Sequence, residues 1–148
     1  MFAPNLIIEN IWRSLNSNAT LQGSTYLTSA GRIWQWRRPE KVDNPLLTVQ
    51  GSRAVGQTQA ERWNLIVTAY ANDLENETPD SSRLGRIIGE VSDTLHLEVG
   101  SAPVITITGG RINSIFEVSN TGVLFDEGRP KEHLQSVFLT AFAIKNNS

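Results

Sequence analysis

The chain has 148 residues, of which 39% are hydrophobic and 19% charged, with a formal net charge of −2 and no cysteine. That length fits one domain, residues 1–148, able to bury roughly 68–70% of the surface its unfolded chain exposes. The composition excludes disulfides, thiolate nucleophiles and cysteine metal ligands, and it supplies no overall basic field to draw the protein onto nucleic acid or an anionic membrane.

The opening MFAPNLIIENIW has no basic region, and Glu9, Asn10 and Arg13 break its apolar run. Neither a signal peptide nor a membrane span is expected, so the cytoplasm is the default compartment and the N-x-T sequons at Asn18 and Asn76 read as chance matches. Leu6, Ile7, Ile11 and Leu15 recur at near-helical spacing behind Pro4, predicting a helix over 5–16 with Asn5 as its cap. A Ser-, Thr- and Gly-rich loop over 22–31 leads to a first strand over 32–37. In an extended segment Trp34 and Trp36 share one face of it. After the turn RRPEKVDNP come a strand over 46–53, a polar hairpin tip over 54–60 containing Gly56, and a long strand over 61–72.

The long strand alternates Trp63, Leu65, Val67, Ala69 and Ala71 on one face with Asn64, Ile66, Thr68 and Tyr70 on the other. The first set tapers from large to small. Leu84, Ile87, Ile88, Val91 and Leu95 predict a helix over 81–97 behind an Asp80 or Ser81 cap. Gly85 and Gly89 lower its propensity by about 1 kcal/mol each relative to alanine, and are expected to press against a packing partner. Short strands follow at 104–108, 111–118 and 123–125, with turns at Gly109-Gly110 and at SNTG. DEGRPKEH, residues 126–133, reads as a charged loop with Asp126, Glu127, Arg129, Lys131 and Glu132 in solvent. A last strand over 134–145 repeats the taper in Val137, Leu139, Ala141 and Ala143, with Phe138, Thr140, Phe142 and Ile144 opposite. The two tapering strands are expected to be neighbours beneath the helix. The fold class is α+β, a mainly antiparallel sheet with two helices packed on one face.

Signals for chemistry are few. There are two histidines, His96 and His133, and no nucleophile-elbow serine, so a hydrolase triad is not expected. Asp73, Glu75, Glu77 and Asp80 lack the spacing and central glycine of a calcium loop, and read as an acidic lead-in to a helix whose positive end they complement. TITGGR lacks the lysine of a phosphate loop and reads as a hairpin turn. Arg37, Arg38 and Lys41 lie beside the tryptophans as basic residues do in single-strand binders, but Glu40 and Asp43 offset them, so an exposed turn or a subunit contact is favoured. No catalytic group, cofactor or metal is expected.

The leading helix, the run GRIWQWRRPEKVDNPLLTVQGSR, the strand ending VTAYAND, the helix SRLGRIIGEVSDTL and the closing FLTAFAI follow one another in an order that resembles the tail terminator, or tail completion, proteins of long-tailed bacteriophages. The correspondence covers nearly the whole chain, through Ile33-Trp34, RRPEKVDN, Pro45-Leu46 and the hairpin Gly51–Gly56, and rests on order and pattern. The resemblance implies a small subunit that forms a ring, commonly a hexamer, on the end of the tail tube. Such a ring stops polymerisation and meets the neck proteins, while DNA passes through without specific binding. The implied place is the virion tail or neck, assembled in the host cytoplasm, with no membrane contact. Trp34-Gln35-Trp36 is heavier than the pattern requires. Two tryptophans on one strand face need cover, either beneath a helix or between subunits. Trp34, Trp36, Arg37, Arg38, Lys41, Asp126, Arg129 and Lys131 are the expected subunit or partner contacts. A neck stopper or adaptor, and a ligand-binding or enzymatic module with His96 or His133 beside a carboxylate, are the alternatives.

Overall fold

Pro4 starts the first helix, α1 (Pro4–Asn16), where its fixed φ suits the first turn and its missing N–H would be unpaired anyway. Residue Ala3 holds the cap position without a side-chain hydrogen bond, so the expected Asn5 cap is not formed and Asn5 lies inside the first turn. Ile7, Ile8, Ile11 and Leu15 make the buried stripe. In this computed structural model residues 2–56, 60–95, 105–125 and 131–146 are described. The further elements are β1 (Ile33–Gln35), β2 (Leu46–Gly56), β3 (Ala60–Asn72), α2 (Ser81–Leu95), β4 (Ile105–Ile107), β5 (Gly110–Phe125) and β6 (Glu132–Lys145).

The strands form one sheet in the order β1-β2-β3-β6-β5-β4, antiparallel throughout except for the β1–β2 pair. Both helices lie on one face, which makes the fold α+β as the alternation predicts. The tapering strands are neighbours, with Trp63 opposite Ala141, Leu65 opposite Leu139 and Val67 opposite Val137. Because β3 and β6 run in opposite directions, each taper is compensated by the other. The largest side chain of β3 meets an alanine of β6, which keeps the layer beneath the helices even in thickness. Trp63 is fully buried there and donates its Nε1–H to Glu61 at 3.1 Å. The buried Glu61 carboxylate also accepts the Phe2 backbone N–H at 3.0 Å, tying the start of the chain to the sheet.

Helix α2 packs on β3, β6 and β5 through Leu84, Ile87, Ile88, Val91 and Leu95, all buried. Asp80 caps it, its Oδ1 accepting the Arg83 N–H at 3.2 Å. Helix α1 touches β1 and β2 and also β4 at the far edge, so the sheet curls around it. Trp12 Nε1–H donates to the Ile33 carbonyl at 2.8 Å and fixes α1 to the β1 edge. Gly51 permits the close approach: a Cβ there would meet the Asn64 carbonyl, the Leu65 side chain and Ile8 of α1.

Four further expectations are corrected. Gly85 and Gly89 are exposed, and a Cβ at either would meet nothing within 4 Å, so they face away from the sheet. The SNTG sequence is no turn. Strand β5 runs through it, and its turn residues make a bulge: the register skips between Asn120 and Val123, and Asn120 Oδ1 accepts the Gly122 N–H at 2.9 Å. Glu132 and His133 belong to β6 and not to a charged loop, and Glu132 is buried. The first strand is also shorter than predicted, because Trp36 adopts φ 72 and ends the extended run at Gln35.

Candidate functional site

Among the described residues the helices cover one face of the sheet, and part of the turn after β1 lies against the other. Ile33 pairs with Leu47, and both point into the helical core; Trp34 and its partner Thr48 therefore point to the open face. Thr48, Thr68 and Ser136 continue a row across β2, β3 and β6, all buried, with the Thr68 and Ser136 hydroxyls 2.8 Å apart. Trp34 ends this row half-buried, its Nε1 shielded from solvent and without a hydrogen-bond partner among the described residues. Neither tryptophan lies beneath a helix.

The chain then turns back over the lower end of this face and pins itself there. The Arg38 guanidinium pairs with Glu132, donates to Asn44 Oδ1 at 2.8 Å, and stands 4.7 Å from the Tyr70 ring centroid. Asn44 Nδ2–H in turn donates to Glu132 Oε2 at 2.5 Å and to Asn72 Oδ1 at 3.0 Å. The Arg38 and Glu132 side chains are only 9% and 7% exposed, which makes Arg38 an internal tie within its own chain. Arg37 and Lys41 remain exposed, so the expected basic cluster is divided.

Above this tie the open face forms a groove of about 510 Å³ lined by Trp36, Gln50, Ser52, Asn64, Ile66, Val118, Phe138 and Thr140. Trp36 is 40% exposed and Val118 66% exposed. The left-handed backbone at Trp36 is held by its N–H, which donates to the Val49 carbonyl at 2.7 Å. A bulky residue at positive φ is uncommon, and here it delivers an indole to the groove. Phe116 and Phe142, in edge contact with centroids 6.2 Å apart, extend the aromatic surface. The alternation in β3 and β6 already assigned Ile66, Phe138 and Thr140 to the second face. Val118 was not legible, because its direction depends on the register shift between Glu117 and Ser119.

Of the other expected contact residues, Lys131 is exposed at φ 70, while Asp126 and Arg129 lie outside the described residues, as does His96. His133 does meet a carboxylate: its Nδ1 is 2.6 Å from Asp73 Oδ1, against the Phe125 ring. Neither His133 nor Asp73 lines the groove. Among the described residues no group of three or more His, Asp or Glu side chains could hold a metal ion, and no helix is long and apolar enough to cross a membrane.

No protein-family model matches the chain, and no curated protein does. Among solved structures it is similar to a chain described as "Virion of native gene transfer agent (GTA) particle", with a TM-score of 0.68 and 10% sequence identity. The superposition covers 99% of this chain and 100% of that one, so the two share a fold from end to end.

Proposed function

We propose that the chain is a structural virion protein whose subunits form a ring, hexameric in the simplest reading, that caps a phage tail tube. The ring ends tube polymerisation, offers its other side to neck proteins, and lets DNA pass without gripping it. The observation that carries this reading is the end-to-end fold likeness to a chain of a phage-like virion particle. The order of sequence elements supports it, and so does the aromatic open face, since a sheet face with Trp36, Phe116, Val118 and Phe138 in solvent is a surface that assembly would cover. The role needs no catalytic group, cofactor or metal. Its partners are other copies of the chain, the tail tube and the neck, and its place is the virion, after assembly in the host cytoplasm.

Electron microscopy of the purified protein, alone and mixed with tail tubes, tests it. Closed rings of roughly six subunits and decorated tube ends are expected. A protein that stays monomeric at high concentration, with and without tubes, would overturn the reading. Preference for portal complexes over tubes would reassign it to the neck.

A further inference from the structure

The open-face groove and an acidic knob beyond the far end of β3 differ in charge in a way that suits contact between copies. The knob is the turn that follows β3. Leu74 N–H donates to the Thr78 carbonyl and Glu77 N–H to the Leu74 carbonyl, both at 2.9 Å, while Asn76 Oδ1 accepts the Thr78 hydroxyl at 2.6 Å. These bonds fix a turn that carries Leu74, 49% exposed, together with the exposed Glu75 and Glu77 that follow it. A fixed turn loses little freedom when it docks.

The groove supplies the opposite character. Its apolar walls are Trp36, Ile66, Val118 and Phe138. Arg62, the next open-face residue of β3 beyond Asn64, and Arg37, which follows Trp36, are both exposed, and neither forms an ion pair among the described residues. The strands that floor the groove, β2, β3 and β6, contain two carboxylates, Glu61 and Glu132, and both are buried. The groove lining is thus apolar and neutral polar, with the exposed cations Arg37 and Arg62 next in line to it, and the knob is apolar and anionic. The knob cannot reach its own groove: it starts beyond Asn72, six residues and roughly 20 Å along β3 from Ile66, and leads into α2 on the covered face.

We propose that Leu74 of one copy, with Glu75 and Glu77 of the same turn, seats in the open-face groove of a second copy. The inference rests on the ring reading and names its contact. Knob and groove are different surfaces, so the contact is head-to-tail, and its repetition closes a ring when the rotation between copies permits.

Sedimentation velocity on three proteins tests the contact. The knob variant carries Leu74→Asn, Glu75→Gln and Glu77→Gln, a neutral polar turn that the altered groove does not attract; the groove variant carries Val118→Glu and Arg62→Glu. All five positions are exposed, and unchanged far-UV circular dichroism confirms folding. Wild-type protein should form rings and each variant should be monomeric. An equimolar mixture of the two should stop at dimers, because it retains one intact contact per pair. The milder Glu75→Gln/Glu77→Gln change should weaken self-association by roughly tenfold and flatten its salt dependence. Rings formed equally by wild type and both variants would overturn this contact while leaving the ring reading intact, and a mixture without dimers would overturn it as well. A wild-type protein that is monomeric with and without tail tubes removes the ring reading and this contact together.

Discussion

Arg38 and Glu132 form a buried ion pair that joins the turn after β1 to the first residue of β6, 94 positions later in the chain. The pair closes the lower end of the sheet, with Asn44 bonded to both partners and the Tyr70 ring beneath the guanidinium. Removing one partner strands the other charge where water cannot reach it. Arg38→Ala and Glu132→Ala should each lower stability by about 3–5 kcal/mol in urea denaturation. The double change Arg38→Met/Glu132→Leu should be far milder than the sum of the two, because it leaves no unpaired buried charge. A single variant that unfolds at the wild-type midpoint would show that the pair is solvated.

Ile88 lies at the centre of the buried stripe of α2, 4% exposed, above the β3 and β6 strands. Ile88→Asp places a charge without a partner in that layer, and soluble expression should collapse. A well-folded variant would mean that α2 does not dock on this face.

The stripe of α2 and the two tapering strands were legible in the sequence because their periods, 3.6 and 2, persist over many residues, and burial rewards every repeat. Short-range exceptions were not legible. The positive φ of Trp36 and the bulge at Asn120–Val123 are set by hydrogen bonds to Val49 on β2 and to Gln135 on β6, residues remote in sequence. The division of Arg37, Arg38 and Lys41 had the same origin. Composition treats three basic residues in one turn alike, and only the return of Glu132 beside Asn44 selects Arg38 for burial. Likewise, glycines four apart suggested close helix packing, yet they occupy the outer side of α2.

That outer side gives a stabilising prediction. Nothing lies within 4 Å of a Cβ added at Gly85 or Gly89, and both residues are helical. Gly85→Ala and Gly89→Ala should each raise stability by about 0.5–1 kcal/mol, read as a higher denaturation midpoint. Ring formation should be unchanged, since the proposed contact uses the knob and the groove. Loss of rings in a stabilised double variant would place the outer side of α2 in a subunit interface.

The last prediction concerns DNA. A ring through which a genome slides should hold it weakly, because each Lys or Arg that neutralises a phosphate adds affinity and retards passage. The net charge of −2 and exposed cations scattered over the chain, among them Arg37, Lys41, Arg62, Arg86 and Arg111, suit weak contact. In fluorescence anisotropy, binding to duplex DNA should be weak and independent of sequence, and should vanish at roughly 0.2 M salt, where each released counterion gains less entropy. Arg37→Ala/Lys41→Ala should leave this marginal affinity nearly unchanged. It should weaken ring assembly, because Arg37 flanks the groove that receives the acidic turn. Arg38 is kept in this variant, since its loss would disturb the buried pair with Glu132 and confuse folding with binding. Tight, sequence-selective binding at physiological salt, abolished by Arg37→Ala/Lys41→Ala, would sink the ring reading and make the tryptophan-flanked turn a nucleic-acid site.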